Sequence, residues 1–436
     1  MTTPQSPQKP KDSVGSPTPY APRPTPSPYD LAVLGAGIAG CTAAATAAQA
    51  GASVILLEAD TFPRDKVCGG CLNAHAQHAL HAAGLTPALD SLNAPPVTTL
   101  TLHNHRRSAQ LALPANPPTR AVSRADLDLA LLHHCQTLGV TTLTQTPAQV
   151  TALHPTHTDI QIKHTSEATD INPRVTARVT LVATGLAGQP LTPLNLPTPK
   201  PQPTSHLGLN LLLKPHPEAH GVSPWTIPPN HLLMATAPPG MTPGSPPAYA
   251  GAVTLNDGRL DLAAALPHAL LKQHPTPNHA LLHLLQQTNS PLLNPTRLTP
   301  GGGTPGSPPD DSPFTQALLT ATPRLTPKLT RTRTDPAHHR LLILGDAAGY
   351  LEPFTGEGMA WAAAAGHAAA QFALAHLTRW SPATTAAYQR LHHLTTRARQ
   401  RRCRALVALL RRPRLTDATL RLLQHAPLFA RPLTYP

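Results

Sequence analysis

The sequence predicts an α/β protein of more than one domain, and three observations predict it. A strand, a glycine turn, an Ala-rich helix and a second strand follow one another in YDLAVLGAGIAGCTAAATAAQAGASVILLEAD, residues 29–60. A second strand-to-turn-to-helix junction, RLLILGDAAGYLEPFTGEGMAWA, occupies residues 340–362. Between them lie short apolar runs broken by turn residues, the pattern of a sheet. At 436 residues the chain is long enough for two or three domains with their own cores.

Composition narrows the classes. The first 28 residues hold nine prolines among Ser, Thr and Lys, with no apolar block. Such a tail buries too little surface to offset its ordering entropy, so it is expected to be disordered and not to act as a secretory signal. Proline is abundant (54 residues) and aromatics make up 3%, so the cores must be built from Leu, Ala, Val and Ile. Met359 to Leu377 is the most apolar long stretch, but it is Ala-rich and carries His367 and Gln371. It reads as a buried helix rather than a membrane span, and a cytoplasmic location is the expectation. Cysteines 41, 68, 71, 135 and 403 are expected to be reduced thiols.

The formal charge of +13 is unevenly placed, with nine arginines between Arg390 and Arg414. A solvated basic helical face accounts for them; the sharper alternative is peripheral contact with an anionic membrane through 390–414. Aromatic residues are absent from that run, so it offers no stacking platform and no nucleic-acid partner is expected. His75, His78 and His81 spread around a helix without a Cys or carboxylate set, and no metal is expected.

In the N-terminal unit, Gly35 permits a tight turn, Gly37 lets backbone approach a pyrophosphate, and Gly40 lets helix and strand pack closely. Phosphates would rest on the helix N-terminus, where unpaired N–H groups and the dipole favour anions. Glu58 closes the second strand, where a carboxylate can hold ribose hydroxyls. This is dinucleotide binding, by NAD or FAD. GGGTPG (301–306) repeats the glycine spacing with no strand before it, and reads as a loop.

The second junction decides between the two. A carboxylate at Asp346 suits a polyol such as the ribityl chain of FAD better than another phosphate. The Gly356-Glu357-Gly358 segment would set helix N-terminal amides against a flat ring that carries negative charge when reduced. Here the sequence resembles the flavoprotein superfamily of p-hydroxybenzoate hydroxylase, and within it the geranylgeranyl reductase branch, over about residues 29–378. GAGIAG with Glu58 matches the ADP-binding motif. FPRDKVCGGCL (62–72) resembles the family's loop beside the flavin, with Arg64, Cys68, Gly69 and Gly70 at its pattern positions. VSRADLDLALLHHCQTLGV (122–140) resembles its helix, which implies that Arg124 reaches FAD and Asp128 braces the helix. GDAAGYLEPFTGEGMAWA carries the flavin-side residues Asp346, Pro353, Gly356, Gly358 and Met359. The same resemblance places Val150 along the adenine and LVATG (181–185) near the ADP half.

Departures are informative. Where reductases carry Tyr-x-Trp-x-Phe-Pro and halogenases Trp-x-Trp-x-Ile-Pro, this chain has SPWTIP (223–228), which leaves Trp225 as a substrate residue. The halogenase lysine has no clear counterpart, so halogenation is disfavoured. CGGC admits a redox dithiol, a zinc half-site, or a single family cysteine at Cys68 with Cys71 incidental. The last is favoured, because neither a second dinucleotide fingerprint nor another ligand pair is present. Cys68 is then the candidate catalytic residue.

The expected architecture is a Rossmann-like FAD-binding domain with an inserted sheet-based α+β substrate domain and C-terminal helices. The FAD domain comprises 29–95, 119–200 and 334–378, the substrate domain 96–118 and 201–333, and a basic helical segment 379–436. The expected function is an FAD-dependent oxidoreductase that transfers hydride from flavin N5 to a C=C bond of an apolar or aromatic small molecule. NADPH or NADH would be the transient electron donor. The alternatives are a monooxygenase that activates O₂ at flavin C4a, and a non-catalytic flavin-binding protein.

Overall fold

The computed structural model describes residues 28–163, 174–214, 227, 228, 230–238, 241, 247–293, 312–352, 354, 356–410 and 412–426. The proline-rich tail, Trp225, the GGGTPG loop and Pro353 lie outside the described residues.

Strand β1 (Tyr29–Leu34) leads through a glycine turn into helix α1 (Ile38–Gln49), and strand β2 (Val54–Leu57) follows. β1 pairs in parallel with β2 on one side and with the strand Arg174–Val182 on the other, and Leu341–Ile343 extends the parallel sheet. Leu31 to Leu34 and all of β2 are buried, as strands covered on both faces must be. One face of this sheet holds α1, the helix Arg124–Thr137 and the Ala-rich helix Gly358–Ala375 in one core. The Ala-rich sequences make that packing close. A Cβ at Gly366 would collide with the Ala39 carbonyl, so two helix backbones touch with almost nothing between them. The fold class is α/β, with a Rossmann-like sheet and a second sheet beside it.

The second sheet has seven strands, in the order Arg324–Lys328, Leu207–Leu213, Leu260–Leu266, Tyr249–Thr254, His231–Thr236, Thr99–His103 and Ser108–Ala112. Its register sorts the side chains by face. Leu207 lies opposite Leu266, and Tyr249 opposite Ala265. One face therefore carries Leu209, Leu211, Leu213, Ala250, Ala252, Leu262 and Leu266, which pack on the helices Pro277–Gln287 and Pro313–Thr320. The other carries Asn210, Tyr249, Gly251, Asp261, Ala263 and Ala265, and it covers the loop of residues 68–70. A Cβ on Gly69 would sit 3.8 Å from the Ala263 Cβ, and one on Gly70 3.0 Å from an Asp261 oxygen.

At the C-terminal end, Tyr388 of the helix Pro382–Leu410 joins the FAD-side core. The helix Pro413–His425 rests Leu420 and Leu423 on Ala109 and Leu111 of the Ser108–Ala112 strand. Among the described residues no helix is long and apolar enough to cross a membrane. All five cysteines are free thiols.

Candidate functional site

The dinucleotide turn has the form its glycines require. Gly35 has φ +101°, and a Cβ there would stand 2.6 Å from the Ala183 carbonyl oxygen, while one on Gly40 would collide with the Gly35 carbonyl. Gly37 is different: the nearest outside atom to its missing Cβ is an Arg64 Nη2 at 3.9 Å, which leaves open space at the head of α1. That helix start has no side-chain cap, so its first N–H groups point at the opening.

A line of alternating charges runs from this turn toward the sheet domain. Glu58 accepts from the Ala36 N–H at 2.7 Å and from Arg64 Nη2 at 3.2 Å, through the same oxygen. Arg64 Nη1 is 3.5 Å from Asp128, which is fully buried. Arg124 grips Asp128 with Nε at 3.1 Å and Nη2 at 2.9 Å to each oxygen. Burial alone would lower the Arg124 guanidinium; Asp128 and a hydrogen bond to Cys68 outweigh it and raise it above the ordinary arginine value. In this structure Arg124 thus reaches Asp128 and Cys68, and Asp128 braces two arginines. The Arg64 Nε is buried without a hydrogen-bond acceptor, an Asp60 oxygen lying 3.7 Å away, while Nη2 borders the open space at Gly37.

At the second junction Gly345 to Ala348 forms a 3₁₀ turn, with Gly345 at φ +60°, Gly349 at +120° and Gly356 at +71°. Side chains strongly disfavour those angles. Asp346 sits part-exposed on the turn, 3.7 Å from Lys66 Nζ. The helix Gly358–Ala375 also begins without a side-chain cap, and a Cβ on Gly356 would meet nothing within 4 Å. Glu357 is turned away, accepting from Trp361 Nε1 at 2.9 Å. Met359 is buried beneath this helix start. A cavity lined by Gly345, Asp346, Gly349, Tyr350, Trp361 and His392 adjoins the turn. Two uncapped helix starts and the open space at Gly37 and Gly356 are what a bound FAD would fill.

Sequence reading missed the polar groups that the seven-stranded sheet turns toward this site. Asp261 is buried, with an oxygen 2.5 Å from Asn210 Nδ2. Burial raises its carboxyl to about 8 against the pull of Asn210 and Arg259, so it holds a proton at neutral pH. Asn210 Nδ2 also donates to the Cys68 carbonyl at 3.3 Å. The clue lay in LDLAAAL, where one acid interrupts an apolar strand. His206 and Glu352 form a second buried pair, with Nδ1 2.8 and 3.0 Å from the two carboxylate oxygens. Lys66, beside Asp346, was passed over inside FPRDKVCGG.

Other expected residues stand as follows. Gly69 and Gly70 lie under the sheet face, and Cys68 contacts Arg124. The Cys71 thiol is pushed up by burial and by Asp261. Val150 is fully buried in the sheet core, and its N–H donates to Pro190 O, so neither group is available to an adenine. Trp225 and Pro353 lie outside the described residues.

Comparison with known proteins agrees with this construction. Residues 29–208 match the family model of the pyridine nucleotide-disulphide oxidoreductases. A menaquinone reductase of Mycobacterium tuberculosis is 52% identical over 56 residues, covering 13% of this chain and 14% of that protein. A menaquinone reductase of Mycolicibacterium smegmatis is 38% identical over 107 residues, covering 23% and 24%. The chain thus matches less than a quarter of the length of these curated relatives. The flavin-dependent brominase Bmp2 superposes with a TM-score of 0.68 at 14% identity, over 93% of this chain and 92% of that one. The myxobacterial chondrochloren halogenase CndH superposes at 0.67 and 17% identity, over 94% and 93%. The fold is shared with these flavin-dependent enzymes.

Proposed function

We propose that the protein is an FAD-dependent reductase acting on a conjugated C=C bond of an apolar, isoprenoid- or quinone-like molecule. One observation carries this reading. The sheet face above the flavin loop is floored by Gly251, Ala263 and Ala265, and its polar groups are two buried hydrogen-bonded pairs, Asn210–Asp261, whose carboxyl burial keeps protonated at neutral pH, and His206–Glu352. Small residues leave room for an apolar substrate, and reduction of a C=C bond needs a proton as well as a hydride. The curated relatives named menaquinone reductases support the same substrate class.

Bound FAD would supply the redox chemistry, passing a hydride from a reduced nicotinamide to the substrate. The residues of this chain do the rest. The uncapped start of α1 and Gly37 would hold the pyrophosphate, Glu58 the ribose, and Asp346 the ribityl hydroxyls. The amides at Gly358 and Met359 would stabilise negative charge on the ring. Arg64 and Arg124, fixed through Asp128, keep the loop of residues 62–72 in place beneath the sheet. Peripheral membrane contact through the basic segment 390–414 is part of the proposal, since an apolar substrate would be delivered from a lipid surface.

The test is anaerobic. Protein loaded with FAD is reduced with NADPH or dithionite, and citral or 2-cyclohexen-1-one is added without oxygen. Return of the oxidised flavin spectrum supports the reading. A flavin that stays reduced until O₂ is admitted, and then shows a transient oxygen adduct, would make the protein a monooxygenase instead.

A further inference from the structure

We propose that His154, His157 and Asp159 bind a divalent transition-metal ion, zinc by the chemistry of the set, which clamps a hairpin turn beside the parallel sheet. The site is independent of the reductase reading and remote from the start of the Ala-rich helix at Gly358.

The ligands come from one hairpin. The strands Ala148–Leu153 and Thr158–Ile162 run antiparallel, with Leu153 opposite Thr158. HPTH (154–157) makes the turn between them, closed by the His154 N–H donating to the His157 carbonyl at 2.8 Å. The two histidines thus open and close a four-residue turn, and their rings stack with centroids 4.5 Å apart. Both turn Nε2 toward the Asp159 carboxylate. His154 Nε2 stands 3.2 Å from Oδ2, and His157 Nε2 stands 3.5 Å from Oδ1. One ligand atom from each of the three residues lies within 4.8 Å of the other two.

Those separations fit a metal's ligand shell better than a set of ionic hydrogen bonds. Charge-assisted N–H···O bonds run to about 2.7–2.9 Å. Nitrogen and oxygen ligands about 2.0–2.1 Å from a tetrahedral zinc stand about 3.3 Å from one another. Asp159 is 9% exposed, so its charge needs compensation, yet Arg174 Nη1 approaches its Oδ2 only to 3.6 Å. The Arg174 side chain is exposed, so it can swing outward as an ion enters. Two imidazoles and a carboxylate suit zinc and leave a fourth position for water. The part-exposed histidine rings give the ion a way in.

The turn is held where the ligands need it. His157 Nδ1 lies 3.0 Å from Thr156 Oγ1. In the tautomer that donates Nδ1–H to this hydroxyl, Nε2 keeps its lone pair for the metal. The Pro155 carbonyl accepts from Arg340 Nε at 2.7 Å. Arg340 is buried and also donates to the carbonyls of Arg178 and Leu377. The turn is therefore fastened to the parallel sheet and to the chain just past the helix Gly358–Ala375. That helix has 18 residues, so it is about 27 Å long, and its Gly358 end is far from the ion. The ion's role is structural, and stability reads it without any assay of activity.

The test uses the full chain without a histidine tag, stripped with EDTA and titrated calorimetrically with zinc chloride. One ion per chain is expected to bind more tightly than the uptake of scattered surface histidines. His154→Gln, His157→Gln and Asp159→Asn should each weaken that ion by about tenfold or more, the loss that even an outer partner of a ligand can cause. His268→Gln, at an exposed position outside the cluster, should leave it unaltered. Zinc at about 100 times its dissociation constant should raise the melting temperature of the unaltered protein by about 2 °C or more, and that of His157→Gln by less. The histidine side chains are part-exposed and glutamine keeps a polar end, so these variants should fold; uptake by the unaltered protein needs no variant at all. A tight ion that survives all three ligand substitutions lies elsewhere and overturns the proposal. Uptake no tighter than scattered histidines give would be an adventitious ion only, and overturns it too.

Discussion

The nucleotide unit and the seven-stranded sheet meet at one site but are specified differently. β1, its turn and α1 place Gly35, Gly37 and Gly40 within six consecutive residues, so the geometry is local; Gly35 and Gly40 each have a nearby steric reason, and Gly37 borders open space. The sheet assembles its polar face from His206, Asn210, Tyr249 and Asp261, which meet through antiparallel register. A local motif can be read as a string. A face made by register has to be read through pairing, and its residues look ordinary until the strands are aligned.

Substitutions can break or sharpen that contrast. The largest effect is expected from Gly40→Val, since even a Cβ there collides with the Gly35 carbonyl. The turn would lose its form, and FAD content after purification should fall to near zero. Asp128→Asn comes next. It strips a fully buried charge from between Arg64 and Arg124, which breaks a buried network at a cost of about 3–5 kcal/mol, measurable by denaturant unfolding.

Asp261 probes the sheet face through pH. Its carboxyl is raised from 3.8 to about 8, so between those values the folded protein holds a proton that the unfolded chain has released. Its contribution therefore makes stability fall as pH rises from about 4 to 8. Asp261→Asn should flatten that slope and raise the melting temperature at pH 8 relative to the unaltered protein. Gly251→Leu should leave FAD content unchanged and slow substrate-driven reoxidation about tenfold, because a larger side chain would project from the sheet face that carries Ala263 and Ala265. The smallest effect belongs to Arg107→Ala, which removes a part-exposed pair with Asp417 and should leave melting and FAD content essentially unaltered.

The legibility of the site follows the same division. The Rossmann-like unit, the Asp346 turn and the helix behind Arg124 were visible because their glycines, caps and apolar runs are consecutive. The hairpin that joins Tyr249–Thr254 to Leu260–Leu266 turns at Asn256-Asp257-Gly258, whose turn chemistry is local in the same way. The partners of Arg124 and Arg64 were only half visible. Asp128 lies one helical turn from Arg124, whereas Glu58 and Arg64 reach the same line from another segment. The pairing of His206 with Glu352 joins residues 146 positions apart, and neither neighbourhood has a pattern that announces it. Val150 shows the reverse. A position suggested by resemblance has its side chain and N–H already committed to the fold.

The measurement that bears most directly on the central claim is the visible spectrum of the purified protein, with chemical identification of the released cofactor. The account expects a flavin spectrum and about one FAD per chain, either as isolated or after incubation with FAD. A colourless protein that takes up no FAD would contradict the reading of both uncapped helix starts and of Asp346, and with it the function proposed for the site.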